Sequence, residues 1–201
     1  MVPLSELVNL LEGGGAPNGE LAITFDDGYE DNFRYAAPIL ERLELPATFF
    51  VVTQWIGTET VAWWDRHLGL RCSWMDWDQL RDLNARGFEI GAHTRTHADL
   101  GLVPELEALG EIVGSRQDLE QALQVPVQAF AYPYGRRENL SEQNLQLIRD
   151  AGYRCCCSAY GGVNSIGTDP FRLMRVPVVP GYASPEAFGF EVALGRTLLP
   201  A

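Results

Sequence analysis

Asp26 and Asp27 stand side by side in TFDDG (24–28), directly after an apolar run, and His93 and His97 stand four apart in HTRTH (93–97). Two adjacent carboxylates repel each other and resist burial, so a chain that puts them at the end of a strand needs something to offset their charge. Two imidazoles four residues apart can face one way on a turn or helix and reach the same ion. With one carboxylate of the aspartate pair they form a two-histidine, one-carboxylate set that leaves positions open for water and substrate. A divalent cation held there would offset one aspartate and leave its neighbour free to take a proton. A water on such a cation has its pKa lowered to about 7, and a nearby carboxylate can deprotonate it during attack on a carbonyl. The set accepts zinc and equally cobalt, nickel, manganese or iron(II). The bland alternative is that the aspartates cap the next helix and start a turn at Gly28, with the histidines as surface groups.

The elements that must position these residues alternate between strand and helix. Residues 21–25, 47–52, 88–92, 127–132, 154–159 and 172–179 read as six strands, the fifth carrying the run Cys155, Cys156 and Cys157. Residues 32–43 read as a helix. Asp76 with Gln79 forms a capping box for a second, which Gly87 ends, and Ser141 caps a third. Pro104 suits the first turn of a helix over 104–123, which Gly110 and Gly114 make weak or broken. Ser184, Pro185 and Glu186 resemble the cap of a closing helix. This alternation implies a parallel sheet, either an incomplete barrel or a doubly wound sheet. In both, functional residues gather where strands end and helices begin. Asp26 and Asp27 follow strand one, His93 and His97 strand three, and Tyr134 strand four, so one rim collects them.

The chain has 201 residues, 46% hydrophobic, which suits a single domain over 1–201 with one sizeable core. Its net charge of −12 opposes nucleic acid or an anionic membrane surface and favours a neutral or cationic partner. No run of 18 apolar residues or signal-peptide pattern occurs, so the expectation is a cytoplasmic protein without a membrane span. The cysteine run lacks zinc-ligand spacing and reads as small apolar side chains in a buried strand.

TFDDG, HTRTH and YPYG (132–135), in that order and at those separations, resemble the first three motifs of the polysaccharide deacetylases, the NodB-homology group or carbohydrate esterase family four. The likeness runs from about residue 4 to 179. It implies an α/β fold, a distorted, incomplete (β/α) barrel of parallel strands, and metal-dependent hydrolysis of an N-acetyl or O-acetyl group on a sugar. It also implies Asp26 as general base, Asp27, His93 and His97 as ligands of one divalent metal ion, zinc foremost, and the backbone N–H of Tyr134 as an oxyanion donor. Branches with YPYG act on exopolysaccharide amino sugars, which makes an acetylated amino sugar the expected substrate. Members often have an extra strand before a segment like that at 4–14, so one stave is expected to be absent here.

Two departures stand out. Ala131 occupies the place of an arginine that steadies the catalytic aspartate, and no histidine follows His97 to serve as general acid. Arg175, at a comparable late strand end, is expected to pair with Asp26, because an always-charged guanidinium is a poor proton donor. Loss of a general acid costs about 10²–10⁴ in rate. His67 is the alternative stand-in, against an incidental loop histidine. All five tryptophans lie between strand two and the start of the helix before strand three. They read mostly as packing, with Trp63 or Trp64 lining the site to stack on sugar. The alternatives to a deacetylase are a carbohydrate-binding pseudoenzyme and a hydrolase of another non-peptide C–N bond.

Overall fold

A computed structural model of the chain describes residues 1–14, 19–178 and 189. Among them, five strands form one parallel sheet in sequence order: β1 (Ile23–Phe25), β2 (Ala47–Val51), β3 (Glu89–Ala92), β4 (Ala129–Ala131) and β5 (Cys155–Cys157). The sheet curls into a half-barrel, as expected of the distorted, incomplete barrel. The strands are near-continuous apolar runs because both faces of the sheet are covered, which is how a parallel sheet avoids water. Phe49, Val51, Ile90, Ala92, Phe130 and Cys156 face an outer helical layer. Phe50, Ala131, Cys155 and Cys157 alternate with them and face the inside of the curl. That inner face is plugged by Leu4, Val8 and Leu11, the first two on α1 (Leu4–Asn9), and by Leu173. Gly91 makes the inner packing possible, since a Cβ there would lie 2.4 Å from the Phe50 ring. The cysteines are all free, with the run of three buried as apolar filling.

The outer layer comprises α2 (Ala37–Arg42), preceded by a π-helical turn (Asn32–Ala36), α4 (Trp77–Ala85), α5 (Glu105–Leu123) and α6 (Glu142–Asp150). A short α3 (Trp63–His67) lies in the long connection after β2. The expected caps are present: Asp76 and Gln79 bond reciprocally, and the Ser141 hydroxyl accepts from the Asn144 N–H at 3.1 Å.

Two expectations need correction. The helix over 104–123 is continuous. Gly114 is there for close approach: a Cβ would sit 2.4 Å from Cδ of Arg95, whose side chain crosses the helix at that point. The sixth strand reduces to an isolated parallel bridge from Leu173 to Cys157, because the chain leaves β5 through a glycine-containing loop and meets it at one residue only. Residue 179 and the closing-helix signal at 184–186 lie outside the described residues. Among the described residues no helix is long and apolar enough to cross a membrane.

Candidate active site

Parallel register sends the carboxyl ends of β1, β3 and β4 to one rim, and the backbone turns sharply at each of them. Asp27 has φ 73°, Thr94 64°, His97 62° and Tyr134 65°. This left-handed region costs a non-glycine residue about 1–2 kcal/mol, and such strain gathers where side chains must be aimed. After β1 the turn closes with the Gly28 N–H donating to the Asp26 carbonyl at 2.9 Å, and a Cβ on Gly28 would press on Val51 at 3.1 Å. After β3 the His93 N–H donates to the Val51 carbonyl at 3.0 Å, which ties the histidine motif to β2. After β4, Gly135 (φ 67°) packs so closely on Ala159 that a Cβ would lie 2.4 Å from the alanine Cβ.

The three expected ligands converge. Nε2 of His93 and Nε2 of His97 each lie 3.3 Å from Oδ1 of Asp27, and the ligand atoms of the set all lie within 4.8 Å of one another. His93 is buried, and its Nδ1 is 2.6 Å from the Ala131 carbonyl. Nδ1 is thereby a protonated nitrogen, and Nε2, turned to Asp27, is the nitrogen whose lone pair a cation would take. Nδ1 of His97 is buried and has no hydrogen-bond partner among the described residues. The residues thus fit a divalent cation: two imidazole lone pairs and a carboxylate oxygen aim at a common point, with borderline N and O chemistry. Burial by itself would raise the Asp27 carboxyl, but hydrogen bonds and charge from His93 and His97 outweigh it and hold the group well below the usual carboxylate range. Burial lowers both imidazoles. The Asp27 contact reverses that for His93, which ends above its ordinary value, while His97 ends below.

Asp26 sits beside this set in a different environment. Both its oxygens accept from the Arg175 guanidinium at 2.7 Å, the expected pairing. Arg175 is itself fixed: it donates to the Thr24 hydroxyl at 2.9 Å and to the Ser158 carbonyl at 2.5 Å, and its guanidinium carbon lies 5.4 Å from the centre of the Phe50 ring. Burial raises the Asp26 carboxyl, but the Arg175 charge leads the opposing effects and the net is a lowered pKa. A carboxylate so held is ionised and oriented at neutral pH.

Asp26, Asp27, Trp63, Trp64, His93, His97, Tyr134 and Ala159 line a cleft of about 350 Å³. Both Trp63 and Trp64 therefore reach it. Trp63 is 63% exposed, and Tyr134, also exposed, contributes a second aromatic ring. The other tryptophans pack. Trp55 stacks on His97 with ring centres 5.4 Å apart, Trp74 donates to the Thr60 carbonyl, and Trp77 lies against the core. Trp64 is pinned by its indole N–H donating to the Tyr29 hydroxyl, which donates in turn to Asp65, both at 2.7 Å. His67 is exposed and does not line the cleft.

Several contributors escape a reading by motif. Thr24, which opens TFDDG but whose bond to Arg175 no motif reveals, and Ser158 position Arg175 through a hydroxyl and a carbonyl, and any residue can supply the latter. Glu111 and Asp118 on α5 bond the histidine loop from a distant segment. Their spacing with Gly114 (111, 114, 118) is one helix face, a signal masked by reading the glycine as a breaker.

The polysaccharide deacetylase family model matches residues 13–156. YxkH of Bacillus subtilis, a protein named for this family, is 30% identical over 168 residues, 83% of this chain and 54% of that one. The poly-β-1,6-N-acetyl-D-glucosamine N-deacetylase of Staphylococcus aureus is 24% identical over 160 residues, 75% of this chain and 51% of that one. The chain therefore spans about half the length of these two relatives. Among solved structures, IcaB from Ammonifex degensii superposes with a TM-score of 0.79 at 24% identity, covering 98% of this chain and 82% of that one. The Streptococcus pyogenes deacetylase PplD, in complex with acetate, gives 0.77 at 24% identity, covering 96% and 78%. Both share the fold. With these matches added to the three strand-end motifs and the half-barrel that joins them, this chain belongs to the polysaccharide deacetylase family.

Proposed function

We propose that residues 1–201 form one catalytic domain that removes acetyl groups from N-acetylated sugars of a poly- or oligosaccharide, using one divalent cation, with zinc first among the metals its ligands accept. The observation that carries this reading is the convergence of Asp27, His93 and His97 on a common point beside a second carboxylate gripped by a guanidinium.

Asp27 Oδ1 and the two Nε2 atoms would hold the cation. When bound, the cation supplies positive charge that acidifies water and polarises the acetyl carbonyl. Asp26 takes the proton of the attacking water, and Arg175 keeps it ionised and aimed. Tyr134, its backbone fixed between Pro133 and the closely packed Gly135, donates its N–H to the carbonyl oxygen as negative charge develops there. Asp26, once protonated, carries the proton that the departing amine requires. Trp63 and Tyr134 offer aromatic faces to a sugar ring. The net charge of −12 favours a neutral glycan or one made cationic by deacetylation. The acetylated amino sugar as substrate draws on the name of the staphylococcal relative.

Acetate release from N-acetylglucosamine oligomers, with and without a chelator, tests the reading. Chelation is expected to abolish release and added metal to restore it, and Asp27→Ala is expected to lose metal and activity together. Full activity in Asp27→Ala would overturn the ligand role. Oligomer binding by calorimetry without acetate under any metal would make the chain a binding protein. Turnover of small cyclic amides instead of sugars would move it to another C–N bond.

A further inference from the structure

We propose that α5 clamps the loop between the two histidines, with Glu111 as the positioning residue that aims His97 at the point shared with His93 and Asp27. The proposal rests on the ligand set just described. Glu111 is buried, and one of its oxygens, Oε2, accepts from two successive backbone N–H groups, Arg95 at 2.7 Å and Thr96 at 2.9 Å. Its other oxygen accepts from the Thr96 hydroxyl at 2.8 Å. Successive amides converging on one anion form a nest, a geometry that needs a specific local twist of the backbone. Here the two amides lie between the left-handed residues Thr94 and His97, so the carboxylate binds the loop in the conformation that non-glycine residues avoid.

The same helix face contributes twice more. Gly114 leaves room for the Arg95 side chain, and Asp118 accepts from Arg95 Nε at 3.1 Å and from the Thr53 hydroxyl at 2.7 Å. From the opposite side, the N–H groups of Thr53 and Gln54 donate to the carbonyls of Thr94 and Arg95 at 3.2 and 2.9 Å. The loop is therefore held through its carbonyls by the turn that follows β2 and through its amides by α5.

His97 has the greater need of this clamp. Nδ1 of His93 is tied to the Ala131 carbonyl, which fixes that ring directly, whereas Nδ1 of His97 has no partner among the described residues. A metal-binding imidazole is ordinarily oriented by a bond to its outer nitrogen. The direction of His97 depends instead on its backbone and on the rings packed around it, those of Trp55, Trp64, His93 and Tyr134.

The test uses Glu111→Ala and Glu111→Gln, with zinc affinity measured by competition with a chromogenic chelator and amide hydrogen exchange measured in the metal-free protein. Glu111→Ala is expected to bind zinc about 10–100-fold more weakly. Glu111→Gln, which keeps an acceptor oxygen but no charge, is expected to fall between it and the parent. Exchange at Arg95 and Thr96 is expected to accelerate by about tenfold or more in Glu111→Ala without metal, in a protein that still unfolds cooperatively. Zinc affinity within about twofold of the parent, or unchanged exchange at those two amides, would overturn the clamp. If Glu111→Ala fails to fold, Glu111→Gln decides by the same two readings. A parent that binds no metal would sink the ligand assignment, and the exchange comparison would still decide the clamp.

Discussion

Replacing Arg175 with methionine removes the partner of Asp26 while keeping much of the side-chain volume, and the geometry sets the size of the effect. Both oxygens of Asp26 accept at 2.7 Å, from a guanidinium side chain only 15% exposed, while the Asp26 side chain is 31% exposed. Two unit charges with centres about 4 Å apart at an effective dielectric of about 20 attract by about 4 kcal/mol. Desolvation of the pair and the partial exposure of Asp26 reduce the net to about 2 kcal/mol. Arg175→Met also leaves Asp26 facing Asp27 without its cation, so its cost is expected at about 2–4 kcal/mol. That corresponds to about 4–16 °C in Tm for a chain of this size. The assay is a double-mutant cycle with Asp26→Asn, by urea unfolding in the presence of chelator. Arg175→Met combined with Asp26→Asn should recover part of the loss, with a coupling of about 2 kcal/mol. Arg175→Lys keeps the charge but not the two-pronged grip, and should release acetate about 10²-fold more slowly than the parent. A coupling below about 0.5 kcal/mol, or an Arg175→Lys enzyme as fast as the parent, would refute the reasoning.

Gly135→Ala is expected to destabilise by about 2–3 kcal/mol, because the new methyl would meet Ala159 at 2.4 Å in a left-handed backbone. Displacement of Tyr134 should lower kcat more than it raises KM, whereas thermal unfolding and kinetics matching the parent would show that this wall yields easily. Trp63→Ala removes an exposed ring at the cleft and should raise KM for acetylated oligosaccharides by about three- to tenfold with kcat and Tm held, since one stacked ring contributes about 0.5–1.5 kcal/mol. An unchanged KM would remove Trp63 from the sugar-binding surface.

The strands and the motif positions were legible because their causes are local. A sheet covered on both faces needs largely apolar runs, and 47–52, 88–92 and 154–159 carry them, the first two one residue longer and the third three residues longer than the strand that forms. Asp76 and Ser141 announce their helices by hydroxyl or carboxylate chemistry within four residues. Gly114 misled, since a glycine placed for close approach and one placed to end a helix are the same residue until its neighbour Arg95 is known. The sixth strand misled for a related reason: an apolar run shows that a segment is buried, while strand character requires a neighbour in register over several residues, and Leu173 finds one at a single bridge.

The amino-acid sequence by itself determined which side chains stand at the carboxyl ends of which strands, and hence that two aspartates, two histidines and a tyrosine share one rim. Only the tertiary structure decided the distances among them. Those depend on the curl of the sheet, on the left-handed turns at Asp27, His97 and Tyr134, and on Arg175 and Glu111, which arrive from segments far along the chain. Parallel strand order can be inferred from alternation, but contacts a few ångströms long are the sum of many packing choices, and no local pattern encodes that sum.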